Sequence, residues 1–367
     1  MVKIFNYINL DNNNYDYGHR EVIIYGRAVT ALHVYMEMKA KGINVIGFVD
    51  SYAKEGDTFA GLKVYTFDEI FEIHDIILYI AVQNEKYKRD ILYMLEENLP
   101  KDNAVVMHGV VYGAWEYDTV YFENLISENN EKIDFIKSKL SDDMSLKSFS
   151  NLVSYRLTND RKLLEEIYDT SHWQYFPIDG MLKPCPDEVF VDAGGFDGLT
   201  TAQFAEWTAG NYKKSIIFEA DETMYEICRE MMRVKNIKNV SLVKKAVYSH
   251  DTMLCFDSTN YASGSGNVVE EGGTSQVLAT SIDNTLREMN EKASFIKMDI
   301  EGAEMEALKG CEKTIEACHP KLAISIYHRD NDLWEIPYYL MKKYPFYKFY
   351  VRHYTPYTTE TVLYATE

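Results

Sequence analysis

Short apolar runs that alternate with helical patterns occur in two separate parts of the chain, and they constrain its fold more than any other feature. Strand–helix alternation of this kind builds parallel sheets with helices on both faces. We therefore predict an α/β protein with two Rossmann-like, doubly wound domains. The predicted strands of the first domain are Val22–Tyr25, Val45–Val49, Ile76–Val82 and Ala104–Met107, and those of the second are Val189–Asp192, Ser215–Glu219, Val240–Val247, Phe295–Asp299 and Leu322–Tyr327.

The stretch between the two alternating regions has a helical pattern, with predicted helices at Leu125–Leu140 and Leu146–Tyr168. A chain of 367 residues is expected to form two domains, since domains commonly have about 100–200 residues. We predict a Rossmann-like domain at 1–119, a helical connector at 120–180 and a second α/β domain at 181–367. Two further strands, Phe346–His353 and Thr361–Ala365, have no long helix between them and should pair antiparallel at the end of the second sheet.

The charge balance and the cysteines limit the classes of partner. A net charge of -19 repels nucleic acid and anionic lipid, so we expect no nucleic-acid partner. The longest apolar run, Ile76–Val82, is too short to cross a bilayer, so we expect no membrane span. The five cysteines are scattered and lack a C-x-x-C pair, which is typical of a reduced, cytoplasmic protein without a disulfide or zinc framework. The chain start has no signal-peptide core, which agrees with a cytoplasmic location. The oligomeric state stays open, with a homodimer as one option.

The first glycine loop, Gly26–Ala31, follows a predicted strand and opens a helix. It has the spacing of a dinucleotide fingerprint, with Ala28 and Ala31 at the second and third glycine positions, and Asp50 ends the next strand. A methyl group at the second position obstructs pyrophosphate. The loop therefore indicates either a nucleotide or nucleotide-sugar pocket, or a domain that kept the fold and lost its ligand. This region resembles the N-terminal domain of sugar acyltransferases.

The second glycine loop is the stronger signal for a ligand. A strand delivers Asp192, and a glycine turn and a helix follow it. Phe196 stands where a nicotinamide fingerprint has its second glycine, and two acids accompany the turn. Carboxylates suit a cationic ligand better than a pyrophosphate, so S-adenosyl-L-methionine (SAM) fits this loop. The cofactor-binding candidates here are Asp192, Gly194, Gly195, Phe196, Asp197, Gly198 and Thr200.

Glu219 ends the next predicted strand, 27 residues after Asp192 (219 − 192 = 27), which is a normal spacing for one βαβ step. A carboxylate there can accept hydrogen bonds from both ribose hydroxyls. Its alternative role is to cap the following helix. Ala246, on the strand after that, completes the candidate cofactor set.

The segment Phe295–Glu304, followed by Leu308-Lys309-Gly310, resembles the signature of the FkbM methyltransferase family. The resemblance covers about Tyr175 to the C-terminus. It implies a seven-stranded SAM-dependent methyltransferase sheet and methyl transfer to a hydroxyl of a sugar, polyketide or other small molecule. Further segments match in the same order: Asp192–Gly198, Phe218-Glu219, Ala246-Val247, Thr280–Asp283, Ile326–His328 and Val362–Ala365.

Methyl transfer to an alcohol needs a group that takes the hydroxyl proton. His328 is the first candidate, because it follows a strand at the edge where open α/β folds bind ligands and has a suitable pKa, although it could instead be structural. Asp299 ends the preceding strand and is a candidate base, substrate ligand or metal ligand. Since the sequence shows no second and third ligand, we predict no metal. The substrate-binding candidates are Glu301, Glu304 and Tyr175, each of which could equally be structural.

The sequence thus predicts a SAM-dependent O-methyltransferase with a sugar or small-molecule acceptor in glycan or secondary-metabolite synthesis. Two alternatives stay open. One is an oxidoreductase that binds NAD or a nucleotide sugar, disfavoured by Ala28 and Phe196. The other is a non-catalytic SAM- or sugar-binding protein.

Overall fold

The computed structural model describes residues 6–9, 17–27, 29–82, 91, 94–95, 97–107, 117–169, 171–177, 181–257, 267–269, 275–355 and 358–367. The chain divides into two compact units. The first comprises Met1–Val111 with Arg229–Asn236, and the second comprises Tyr112–Cys228 with Ile237–Glu367.

The first unit contains a seven-stranded sheet in the order β1-β7-β6-β2-β3-β5-β4. Its elements are β1 (Asn6–Asn9), β2 (Glu21–Tyr25), α1 (Val29–Ala40), β3 (Val45–Val49), β4 (Thr58–Phe59), β5 (Leu62–Tyr65), α2 (Phe67–Phe71), β6 (Ile76–Ile80) and β7 (Ala104–Met107). All neighbours are parallel except β4 and β5. Ile23, Leu78 and Val105 are buried in its core, as their β-branched and leucine side chains predict.

The second unit begins with helices, at the place where a helical pattern predicted them. These are α3 (Thr119–Glu128), α4 (Asn130–Lys139), α5 (Asp143–Thr158) and α6 (Lys162–Glu165). The carboxylate of Asp118 caps α3, and that of Asp142 caps α5. The two predicted helices are each divided, the first at Asn129 and the second after Asn159, whose left-handed backbone (φ 54°) ends α5.

The remaining elements of the chain mostly alternate between strands and helices, as the sequence predicts. They are β8 (Val189–Ala193), α7 (Leu199–Trp207), β9 (Lys214–Phe218), α8 (Glu222–Val234), β10 (Val240–Val243), β11 (Ala246–Val247), β12 (Thr252–Asp257), β13 (Asn267–Val269), β14 (Ser275–Thr280), α9 (Ile282–Met289), β15 (Phe295–Met298), α10 (Glu304–Lys309), α11 (Glu312–Cys318), β16 (Lys321–Ser325), α12 (Asp332–Lys343), β17 (Lys348–His353) and β18 (Thr361–Thr366). The sequence predicts one helix over Gly302–Cys318, but the structure divides it into α10 and α11 at Gly310, where a Cβ would lie 2.2 Å from the carbonyl oxygen of Tyr248.

The principal sheet of this unit has seven strands in the order β10-β9-β8-β15-β16-β18-β17. Its strands are parallel except that β18 runs antiparallel to both β16 and β17. The predicted fold class is therefore confirmed, including the antiparallel pair at the end of the chain.

A four-stranded sheet, β11-β14-β12-β13, was not predicted. The run Val240–Val247 was expected to form one strand. In the structure it forms two, because β10 pairs with β9 in the principal sheet while β11 pairs with β14 in the four-stranded sheet. The Ser263–Gly266 loop lies outside the described residues. Within the described ranges, every helix is too short or too polar to cross a bilayer.

Candidate functional site

The site lies at the carboxyl ends of β8, β9, β15 and β16. The strand order reverses between β8 and β15, because β9 and β10 continue on one side and β16 on the other. In open α/β sheets, ligands bind in the crevice at such a switch point. The described residues that follow these strands are the predicted glycine loop, Glu219, Asp299 and His328.

The glycine loop is held against the ends of its neighbouring strands. The N–H groups of Gly194 and Gly195 both donate to the carbonyl of Phe218, at 3.1 and 2.8 Å. Gly194 has φ +81°, and a Cβ there would lie 1.9 Å from the carbonyl oxygen of Asp299. Glycine is thus required at 194 by close packing of the protein on itself. Gly198 then begins α7 with φ +83°.

Asp192 lies beneath this loop and is fully buried. Its Oδ2 accepts a hydrogen bond from Thr201 Oγ1 at 2.9 Å, and its Oδ1 lies 3.1 Å from Lys297 Nζ. Asp192 and Lys297 are register partners on β8 and β15, and Lys297 also donates to the carbonyl of Gly194 at 2.6 Å. Burial opposes its charge, but Asp192 and Asp299 hold the pKa of Lys297 above its ordinary value. The sequence analysis missed Lys297, although a lysine within the apolar run Phe295–Met298 was a visible signal.

Two other acids adjoin the loop and are half-buried. Glu219 accepts the N–H of Phe196 at 2.7 Å on Oε2 and that of Asp221 at 2.8 Å on Oε1. Burial raises the pKa of Glu219 to about 7. Asp197 accepts the N–H of Leu199 at 3.0 Å, and burial raises the pKa of Asp197 to about 6.

The other two cofactor candidates lie apart from these contacts. Thr200 is half-buried in the first turn of α7, and its neighbour Thr201 is the residue that contacts Asp192. Ala246 pairs with Ala279 in the four-stranded sheet.

Asp299, Glu301, Glu304 and His328 come together after β15 and β16. His328 Nε2 lies 3.3 Å from Asp299 Oδ1 and 3.7 Å from Glu301 Oε2, and its Nδ1 lies 2.9 Å from Glu304 Oε1. The side chains of His328 and Glu304 are 7% and 0% exposed, whereas Asp299 and Glu301 keep 24% and 29%. Asp299 and Glu301 are therefore the more accessible members of this cluster.

The charged groups in this cluster shift one another's pKa. Burial opposes the charge of His328, but Glu304 and Asp299 together hold the pKa of His328 well above its ordinary value. Burial likewise opposes ionisation of Asp299, but His328 and Lys297 hold the pKa of Asp299 below its ordinary value. Asp299 is therefore ionised at neutral pH.

Hydroxyl groups surround Asp299 on its other side. Tyr175 OH donates to Asp299 Oδ2 at 2.9 Å, and Tyr327 OH donates to Oδ1 at 3.2 Å. Tyr175 is 4% exposed, so it holds Asp299 more readily than it reaches a ligand. Glu360 lies 3.4 Å from Tyr327 OH, and burial, with the charge of Asp299 next, raises the pKa of Glu360 to about 7. Tyr327 and Glu360 were missed, because no local pattern ties Glu360 to the site.

In the first unit, Asp50, the acid predicted to accompany the Gly26 loop, already pairs with other groups of the protein. Arg27 Nε lies 3.3 Å from Asp50 Oδ1, and Arg27 Nη1 lies 3.0 Å from Asp57 Oδ2. Asp50 also accepts the N–H of Tyr52 at 2.9 Å. Ala28 lies outside the described residues. A ligand for this loop and the resemblance to sugar acyltransferases both stay predictions.

The strand order, the reversed β18 and the acid-bearing loop at the switch point define the second unit as a seven-stranded methyltransferase sheet. Residues 192–351 match the family model described as Methyltransferase FkbM domain. This region is therefore similar to FkbM methyltransferase domains, which confirms the resemblance seen in its motifs.

A solved structure shares this fold over most of the chain. A methyltransferase FkbM from Methylobacillus flagellatus KT superposes with a TM-score of 0.58 and 22% identity, covering 94% of this chain and 89% of that one. Aeropyrum pernix fibrillarin, solved with natively bound S-adenosyl-L-methionine, gives a TM-score of 0.35 and 10% identity over 52% of this chain and 70% of its own. No curated protein matches the sequence.

Proposed function

We propose that this protein is a SAM-dependent O-methyltransferase that acts on a hydroxyl of a sugar or another small molecule. The observation that carries the proposal is the meeting of two sets of carboxylates at one switch point. Glu219 and Asp197 belong to the glycine loop side, and Asp299 and Glu301 to the other. The two sets adjoin, since Gly194 packs directly on the carbonyl of Asp299.

The residues of the loop side fit SAM by their chemistry. SAM supplies a methyl group on a positively charged sulfur and also bears an ammonium group and a ribose diol. Each oxygen of Glu219 accepts one backbone N–H and keeps a second lone pair for a ribose hydroxyl. Asp197 provides a carboxylate for the cationic part. Asp192, being buried and paired, positions the loop through Lys297 rather than touching the cofactor.

On the acceptor side we propose Asp299 and His328 as the catalytic pair. Asp299 accepts the hydrogen bond of the acceptor hydroxyl and draws on its proton, which makes the oxygen a better nucleophile. His328, 3.3 Å away, holds that carboxylate in place. Glu301 is exposed enough to contact the acceptor, while Glu304 positions His328 and Tyr175 positions Asp299.

A polyhydroxylated acceptor is favoured by the groups around Asp299. Glu301 and Glu360 can accept hydrogen bonds, and the oxygen of Tyr327, whose proton is donated to the acids beside it, can accept one as well, so this side of the site can pair with several hydroxyls at once. The proposed role in glycan or secondary-metabolite synthesis follows from that acceptor chemistry.

Calorimetric titration with S-adenosylhomocysteine tests the cofactor half of the proposal. We expect binding to the wild type to weaken roughly tenfold from pH 8 to pH 6, because Glu219 gains a proton as the pH falls through its pKa of about 7 and loses an acceptor. Glu219→Gln should bind more weakly at pH 8 and show little pH dependence. Glu222→Gln, a 69% exposed acid on α8, is the matched control and should behave as wild type.

Methyl transfer itself is measured with labelled SAM and a panel of sugars, nucleotide sugars and phenols. Label on an acceptor oxygen, lost in Asp299→Asn with cofactor binding retained, supports the proposal. A wild type that binds NAD or a nucleotide sugar but not S-adenosylhomocysteine overturns it and favours the oxidoreductase alternative.

A further inference from the structure

The histidine and acids beyond β15 and β16 are arranged like the ligands of an ion. One nitrogen of His328 and one oxygen each of Asp299 and Glu304 all lie within 4.8 Å of one another. Ligand atoms that share a cation at about 2.1–2.3 Å from it are separated by comparable distances. Oxygen Oε2 of Glu301 lies 3.7 Å from His328 Nε2, on the same side of the ring as Asp299 Oδ1.

His328 provides a second, independent observation. Its side chain is 7% exposed, and neither ring nitrogen has a hydrogen-bond partner in the described part of the chain. The carboxylate oxygens lie 2.9 to 3.7 Å from these nitrogens but outside hydrogen-bond geometry. Oxygen Oε2 of Glu304, a fully buried residue, is also without a partner there. Buried polar atoms of native proteins are rarely left so, and an ion is one explanation for them.

The two nitrogens of the His328 ring lie next to different acids. Nε2 faces Asp299 and Glu301, which keep some exposure, whereas Nδ1 faces the buried Glu304. Glu304 is itself held by the N–H of Ile300 at 2.8 Å. A metal-binding histidine commonly uses one nitrogen for the ion and gives the other to a carboxylate that orients the ring.

We propose that Asp299, Glu301 and His328 Nε2 bind a divalent cation, with Glu304 orienting the imidazole from behind. One imidazole and two carboxylates with further positions open to water suit Mn²⁺ better than Mg²⁺, which prefers oxygen alone. The three acids supply the negative charge that such an ion needs.

The consequence for catalysis rests on the proposed function. A cation bound here would hold the acceptor oxygen and lower the pKa of its hydroxyl, whose proton would pass to solvent as the methyl group moves from the sulfonium sulfur to that oxygen and S-adenosylhomocysteine is released. The sequence predicted no metal, because Asp299 alone could be recognised; the chain's folding brings the other ligands to it.

Mn²⁺ binding to the full-length protein tests the site without any cofactor or acceptor. Electron paramagnetic resonance should count one bound Mn²⁺ per chain, and pulsed spectra should show coupling to one imidazole nitrogen. We expect His328→Gln to abolish the nitrogen coupling and Glu304→Gln to weaken binding about 10- to 100-fold, as outer partners of metal-bound histidines do. Glu291→Gln, an acid paired with Lys213 on the surface, should bind as wild type.

The outcomes separate the two proposals. A wild type that binds no Mn²⁺, or binds it without nitrogen coupling, overturns the metal site, and this wild-type measurement does not depend on how any variant folds. Retained S-adenosylhomocysteine binding in that case leaves the methyltransferase assignment standing. Bound Mn²⁺ with imidazole coupling but no S-adenosylhomocysteine binding supports the ion site and removes the proposed function.

Discussion

Lys297 shows how one buried charge organises the site. Its ammonium is 2% exposed and lies 3.1 Å from Asp192, which is fully buried. Charges withdrawn from water need close partners, and this lysine has the Asp192 carboxylate and the carbonyls of Ala193 and Gly194. Because these carbonyls belong to the glycine loop and its strand, the lysine holds the loop that we propose to bind the cofactor.

Replacing this lysine should therefore cost stability through the charge it leaves behind. We predict that Lys297→Met lowers the free energy of unfolding by about 3–5 kcal/mol, since Asp192 stays buried without its counter-ion. Chemical denaturation measures the loss, and Asp192→Asn added to the same chain should recover part of it. Lys213→Met removes a surface ion pair of a 53% exposed lysine and should cost about 0–1 kcal/mol. Equal losses in the two single variants would contradict the argument.

At the scale of the element, the glycine loop between β8 and α7 is shaped by its neighbours as much as by its own residues. Its local pattern predicted a tight turn after a buried strand, which the structure confirms. The sequence predicted a ligand at this glycine turn. In the structure, Gly194 leaves room for the backbone of Asp299, which directly follows β15 about a hundred residues later in the chain (299 − 194 = 105).

A comparison of two glycines with similar backbones separates the effect of backbone conformation from the effect of packing against Asp299. Gly194 and Gly210 have φ of +81° and +73°, but a Cβ meets Asp299 at 1.9 Å in the first and nothing within 4 Å in the second. We expect Gly210→Ala to cost about 1–2 kcal/mol from the left-handed backbone alone. Gly194→Ala should cost roughly 2–5 kcal/mol, since overpacking adds to it, and should also weaken S-adenosylhomocysteine binding. Thermal unfolding and calorimetry measure both, and similar losses in the two variants would show that packing on Asp299 is unimportant.

At the scale of the whole molecule, the helices α3 to α6 share one core with the principal sheet of their unit. Ile136 and Phe149 belong to the same buried cluster as Ile296 and Leu363. Backbone contacts reinforce the packing, since the N–H of Ser141 donates to the carbonyl of Phe349 on β17 at 2.9 Å. The helical segment that we predicted as a connector is thus part of the second compact unit. The boundaries 1–119, 120–180 and 181–367 stay a prediction.

A single helix residue should therefore report on the whole unit. We predict that Phe149→Ala, which removes a fully buried side chain, lowers the free energy of unfolding by about 3–5 kcal/mol. Far-ultraviolet circular dichroism and S-adenosylhomocysteine binding should both be lost at the same lower denaturant concentration. Leu146→Ala, on the same helix at 41% exposure, should change stability by less than about 0.5 kcal/mol. Loss of helix signal before the binding signal would mean that the segment folds separately.

The sequence by itself determined the features that depend on neighbouring residues. Apolar runs such as Val189–Asp192 and Phe295–Asp299 identified strands, the turn residues that follow predicted the edge where a ligand binds, and the motif Phe295–Glu304 gave the resemblance that the family model matches. These signals are local, because strand burial and turn geometry depend on a few consecutive residues.

Only the tertiary structure decided which side chains meet. Pairing of β8 with β15 places Lys297 against Asp192, and adjacency of β15 and β16 places His328 among three acids. The antiparallel return of β18 brings Glu360 to the hydroxyl of Tyr327. Residues 24 to 105 positions apart carry no shared pattern in one sequence, whereas strand order and register bring them into contact (328 − 304 = 24; 297 − 192 = 105).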